Sequence, residues 1–212
     1  AHEEVKKWLD HQAAEGPLGV CFSGGIDSGA IFLLARQALL ERGEAPQRLK
    51  AFTLSVDGGG ADVERARSFL EQLDMAVFHE AIEVGSQDLD WRETIKVVED
   101  YKPLDIEAGT MGLALVRGIR ERYPDWKHLL DGDGGDENLK DYPIEENPEL
   151  TIRSVLNNSM LYQEGWGVHS IKHSQTYSGG LSRSYSRTYA PAATEGFNGF
   201  SPFTQPQVIR VA

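Results

Sequence analysis

Ser23-Gly24-Gly25-Ile26-Asp27-Ser28 is the stretch on which the reading of this chain turns. An apolar run, Leu18-Gly19-Val20-Cys21-Phe22, precedes it and reads as a short buried strand. After it, Ile31, Leu34, Ala35, Ala38 and Leu39 recur at the spacing of one buried helix face. The hexapeptide therefore sits on a strand-to-helix turn. Paired glycines let backbone N–H groups come close to a ligand. A helix N-terminus adds unpaired N–H groups and a partial positive charge. With the Ser23 and Ser28 hydroxyls as further donors, the turn reads as a cradle for phosphate oxygens. The Asp27 carboxylate would repel bare phosphate, and it makes sense if a divalent cation bridges the two. The plain alternative is a glycine-rich turn capped by Ser or Asp.

Outward from the turn, the chain alternates strands with helices. Residues 2–14 read as an amphipathic helix with Val5, Trp8 and Leu9 on one face, stopped by Gly16-Pro17, and Gly43 reads as the C-cap of the helix after the turn. Residues 49–56 form a second strand, 76–80 a third and 127–130 a fourth. Helices are expected over 61–73, with Ala66, Phe69, Leu70 and Leu73 at helical spacing, around 91–101, with Trp91, Ile95 and Val98, and over about 108–122. This order predicts an α/β fold: a doubly wound, mostly parallel sheet with helices on both faces. Residues 1–143 are expected to form that core. Residues 144–212 are expected to be a helical and irregular C-terminal region packed on the same domain, with one helix within 148–165. The segment 167–190, rich in Ser, Tyr, Arg and His, has no clear period, and reads equally as a loop over the site or an ordinary solvated one.

Composition sets the partners. The 212 residues carry a net charge of −12, which argues against binding nucleic acid or an anionic membrane through a broad basic face. A 40% hydrophobic content supports a normal core, yet no run of about 18 apolar residues reads as a membrane span. Cys21 is the single cysteine, so no disulfide can form within the chain, and a reducing cytoplasm is the expected compartment. Its place in a predicted strand makes it a core residue.

A second motif, Asp131-Gly132-Asp133-Gly134-Gly135-Asp136-Glu137, follows the fourth strand. Its spacing is not that of an EF-hand loop. An acidic turn and a magnesium–phosphate loop facing the first motif both remain open, and the strand placement favours the second. Ligands in such sheets bind at the carboxyl ends of the strands.

The first motif resembles the pyrophosphate loop of the ATP pyrophosphatase superfamily, whose members transfer AMP to an acceptor and release pyrophosphate. It lacks the Gly-Lys-Ser/Thr end of a Walker A loop. The second motif, with Lys140-Asp141-Tyr142 after it, resembles the Ser-Gly-Glu-Gly-Ser-Asp-Glu … Gly-Gly-Tyr loop of asparagine synthetases. Phe52-Thr53-Leu54 with Asp62 downstream resembles that family's adenine-contacting strand and the loop after it, and His79-Glu80 its third-strand His-Glu. Ile106, Ala108 and Thr110 match its Tyr-Asp-x-x-x-Ile-Arg-Ala-Ser-Thr segment, and Arg187 with Pro202-Phe203 its C-terminal block. The likeness runs from about residue 18 to 212.

The resemblance implies the following roles. Ser23, Gly24, Gly25, Asp27 and Ser28 hold the phosphates of ATP. Phe22 and Leu54 flank the adenine, largely through backbone groups. Asp131 and Gly132 touch the nucleotide, and Asp27 and Asp136 bind Mg2+. Asp133 stands where the family's catalytic Glu stands, and Arg187 is the second catalytic candidate. The implied fold is that of adenine nucleotide alpha hydrolases. The implied activity is an AMP-forming amide ligase that joins a small carboxylate to ammonia or an amine. Glu107, Asn198 and Phe200 replace the family's Arg, Glu and Arg, which argues against aspartate as acceptor. The family's N-terminal glutaminase and its C-terminal Lys-bearing segment lie outside this sequence. A separate glutaminase or C-terminal subunit is therefore the expected partner, glutamine hydrolysis by the chain alone is not expected, and a homo-oligomer stays open. Two other readings compete: a nucleotide-binding subunit without catalysis of its own, and a tRNA-modifying or thiolating enzyme of the same superfamily. The second would call for reactive cysteines and a basic surface.

Overall fold

The computed structural model describes residues 1–99, 103–135 and 185–211. Within these residues five strands form one parallel sheet: β1 (Leu18–Cys21), β2 (Leu49–Val56), β3 (His79–Val84), β4 (His128–Leu130) and β5 (Asn198–Phe200). Their order is β3-β2-β1-β4-β5. The chain steps outward from β1 to β3, then returns to lay β4 on the other side of β1. Val20 thus sits between Ala51 of β2 and Leu130 of β4. In such sheets the crevice at the reversal, here the carboxyl ends of β1 and β4, is where ligands bind.

Helices cover both faces because alternate strand residues point to opposite sides. Ala51 and Leu130 join a core with α1 (His2–His11), α2 (Ile26–Glu41) and α3 (Ala61–Glu71). Phe52 and Leu129 join a second core with Leu113, Val116 and Ile119 of α5 (Pro103–Arg122) and Ala192 of α6 (Ala190–Thr194). The Phe52 ring, fully buried, packs on Trp126 and Tyr123 at 5.2 and 5.5 Å. Truncating such a ring to alanine typically costs about 3–5 kcal/mol. This is the doubly wound α/β fold that the alternation of elements predicts.

Several boundaries differ from expectation. Residues 76–78 form a 3-10 turn, and β3 begins only at His79. Leu73 lies past the end of α3 and is exposed. α4 (Trp91–Val98) is shorter than expected: Asp90 caps it, accepting from the Arg92 and Glu93 N–H groups, and Glu99 ends it in the left-handed region at φ 53°. α5 begins five residues early, at Pro103, where proline suits a first turn. Tyr185–Tyr189, within the segment read as loop, is a π-helical turn leading into α6. The expected helix within 148–165 lies outside the described residues. β5, from the C-terminal region, pairs with β4 as an edge of the same sheet. Among the described residues, no helix is long and apolar enough to cross a membrane.

Candidate active site

The first glycine-rich loop is fixed by contacts that only its sequence permits. Gly24 has φ +72°, and a Cβ there would lie 2.4 Å from the Ala66 nitrogen in α3. The loop is therefore wedged against α3, and a side chain at this position is excluded. Gly25 is the N-cap of α2 and brings no side chain to the helix end. The plain capped-turn alternative thus lacks its cap. The first-turn N–H groups have no intrahelical acceptors. Two hydroxyls brace the loop from within. Ser28 Oγ donates to the Gly25 carbonyl at 3.2 Å and accepts from the Ser23 N–H at 3.3 Å. Ser23 Oγ lies 3.3 Å from Ser28 Oγ and accepts from the Gly25 N–H at 3.4 Å.

The second loop closes on the first. A Cβ on Gly132 would lie 2.7 Å from the Ser28 nitrogen, and one on Gly135 would lie 2.4 Å from Asp27 Cγ. Each glycine lets a β4 loop press on the first turn of α2. Asp131 is almost fully buried. Its Oδ1 accepts from Ser201 Oγ at 2.6 Å and from the Asp133 N–H at 3.0 Å. Its Oδ2 has no hydrogen-bond partner among the described residues. Burial first, and the neighbouring Asp133 carboxylate second, raise the Asp131 carboxyl well above the usual carboxylate range. Asp133 Oδ2 accepts from Thr188 Oγ1 at 2.5 Å, which ties the loop to the π-helical turn.

Both loops open on one cavity of about 820 Å3. Phe22, Ser23, Asp27, Ser28, Leu54, Asp131, Gly132, Asp133 and Arg187 all line it. Gly24 and Gly25 do not, and instead set the path of the loop beneath. Asp136 lies outside the described residues. Cys21 packs against the second core, as expected of it, and is half-buried there because it also forms part of the cavity wall. Burial and the Asp131 and Asp133 carboxylates push its thiol upward, away from the reactive thiolate. Arg187 lines the cavity with Nε 3.7 Å from Oδ1 of the buried Asp105. The Arg187 carbonyl sits where a Cβ on Gly112 would be, at 2.5 Å, so the π-helical turn lies directly on α5.

Residue reasoning did not single out Thr188, Ser201 or, on the α5 wall, Met111 and Leu115; Ala108 on that wall belongs to the segment matched by resemblance. No local pattern marks them; each reaches the site through a contact distant in sequence. Thr53 was visible only as part of a matched strand, yet it lines the cavity and donates from Oγ1 to the Phe22 carbonyl at 2.6 Å. Asn198 and Phe200 stand away from the cavity: Asn198 bonds Gln12, and Phe200 stacks on Trp8 at 5.1 Å.

The charge of the site constrains its ligand. Asp27, Asp62, Asp131 and Asp133 line the cavity, with Arg187 the single basic residue among the described lining residues. A polyphosphate enters such a pocket only with divalent cations to offset the carboxylates. Among the described residues no three His, Cys, Asp or Glu side chains cluster as a protein-only metal cage. Magnesium takes one or two carboxylates and fills its shell from phosphates and water. Asp27, in the first turn of α2, and the unpartnered Asp131 Oδ2 fit this donor set.

No curated protein matches the chain. The family model described as asparagine synthase matches residues 5–193, which span β1 to β4, both glycine-rich loops and Arg187. With its pyrophosphate-type loop and cavity at the sheet reversal, the chain belongs to the asparagine synthase family, whose synthetase domain uses ATP, generally with Mg2+.

Proposed function

We propose that this chain is an AMP-forming ligase that activates a small carboxylate with MgATP and passes the acyl group to ammonia or an amine. The observation that supports this most is the packing of Gly132 and Gly135 against Asp27 and Ser28, which gathers both loops around one cavity. The α2 N-terminus, with the Ser23 hydroxyl beside it, binds the phosphates and favours the charge that builds on departing pyrophosphate. Asp27 holds Mg2+, which when bound neutralises charge on the phosphates. Arg187, braced by Asp105, orients the acceptor carboxylate. One carboxylate oxygen attacks the α-phosphorus and the α–β bridging P–O bond breaks, releasing pyrophosphate. The nitrogen nucleophile then adds to the acyl carbon, the acyl–O bond to AMP breaks, and the amine proton passes to solvent. Asp133, held by Thr188, stands at the position of the family's catalytic Glu.

Carboxylate-dependent exchange of labelled pyrophosphate into ATP tests the reading. The expected result is exchange that requires Mg2+ and one class of carboxylate. Release of ADP instead of AMP, or no exchange with any carboxylate while ATP binds, overturns it.

A further inference from the structure

A buried relay stands behind the wall of the cavity at β1 and β2. The Phe22 ring lies in the core, edge-on to Phe32 and Phe69 at 5.7 Å each. What Phe22 presents to the cavity is therefore its backbone. Its N–H is taken by the Phe52 carbonyl at 2.8 Å, which leaves the carbonyl oxygen as its available polar group. That oxygen accepts the Thr53 hydroxyl proton at 2.6 Å. Thr53 has one proton and has spent it, so at the 3.0 Å contact with His79 Nε2 the ring N–H donates to Thr53 Oγ1. Thr53 is 2% exposed and His79 half-buried, on the adjacent strand β3.

A carbonyl has two lone pairs, and Thr53 fills one. The second can accept from a ligand donor but repels a ligand carbonyl. A purine placed with its 6-position toward this oxygen would meet it as a donor if it carries a 6-amino group and as an acceptor if it carries a 6-oxo group. The direction of the free lone pair depends on where Thr53 holds the oxygen. We propose that Thr53 and His79 are positioning residues that aim the Phe22 carbonyl and thereby set the preference for a 6-aminopurine nucleotide. The inference rests on the proposed use of ATP and deepens it.

Calorimetric titration of the whole chain with MgATP and with magnesium inosine triphosphate, which differ at the 6-position in donor character, tests it. Wild type should prefer ATP. Thr53→Val keeps the branched shape suited to a strand but removes both hydrogen bonds, and should cut the ATP-to-inosine-triphosphate ratio about tenfold. Thr53→Ser should restore it. His79→Gln, which can still donate from its amide, should stay nearer wild type than His79→Leu. A Thr53→Val protein that loses affinity for both nucleotides equally, or keeps the wild-type ratio, overturns the proposal. If Thr53→Val does not fold, His79→Leu decides: a reduced ratio supports the relay and an unchanged one overturns it. ATP that binds wild type with no preference sinks this inference alone. Failure of wild type to bind ATP at all sinks the reading beneath it as well.

Discussion

Ser201 Oγ donates to Asp131 Oδ1 at 2.6 Å across 70 residues of sequence. Both side chains are buried, and the Asp131 N–H also bonds the Phe200 carbonyl at 3.2 Å. The edge strand β5 thus anchors the second loop. Ser201→Ala leaves a buried carboxylate oxygen with one donor fewer, and should lower stability by about 1–3 kcal/mol. Urea unfolding measures it; a midpoint equal to wild type would show that the bond contributes nothing. The same variant should weaken ATP binding, because the loop that presses on α2 loses its brace.

The glycines separate loop geometry from mere flexibility. Gly132→Ala puts a methyl 2.7 Å from the Ser28 nitrogen, so the two loops must part. ATP binding should fall by tenfold or more, on the order of 1.4 kcal/mol. Gly24→Ala meets both a left-handed φ and the Ala66 backbone, and should destabilise the fold by about 2 kcal/mol or more. Gly59→Ala, with open space around its Cβ position, is the control for folding and should leave the melting temperature unchanged. Thermal melting and ATP titration of the three variants give the comparison. Equal behaviour of Gly24→Ala and Gly59→Ala would contradict the packing described.

Asp27 sits in the first turn of α2 but is not its cap, since Gly25 holds that place. Asp27→Asn keeps the shape of the side chain and gives up its favourable interaction with the helix dipole, worth up to about 1 kcal/mol of stability. The Mg2+-dependent part of the ATP-induced thermal shift should nonetheless vanish, because a hard anionic ligand is gone. A variant that keeps the full wild-type shift would rule out Asp27 as a metal ligand.

The pH dependence follows from Asp131. Its carboxyl is raised by burial and by Asp133. In the unfolded chain an aspartate ionises near pH ~3.9. Above that value the unfolded chain has released a proton that the folded chain still holds. Stability from this group therefore falls as pH rises, until the raised folded value is passed. Asp131→Asn abolishes the term, so its stability should decline less than that of wild type between about pH 4 and about pH 7. Urea midpoints across that range decide it; parallel curves would mean that Asp131 titrates as an ordinary carboxylate.

Sequence alone determined the order of elements, the sheet class and the two glycine-rich loops. These are local matters: a short apolar strand, a helical period and glycines at a turn are each written within a few consecutive residues, as Leu18–Ser28 shows. Even so, the local signal slipped at Ala76–Phe78, where an apolar triplet forms a 3-10 turn and pairing with β2 starts the strand at His79. Tertiary structure alone decided that Gly132 rests on Ser28, that Ser201 holds Asp131, that Thr188 holds Asp133, and that Cys21, packed against the second core, also lines the cavity. The reason is physical. A hydrogen bond or a close contact between segments many residues apart depends on where β4 and β5 lie beside β1, and no periodicity within either segment carries that information.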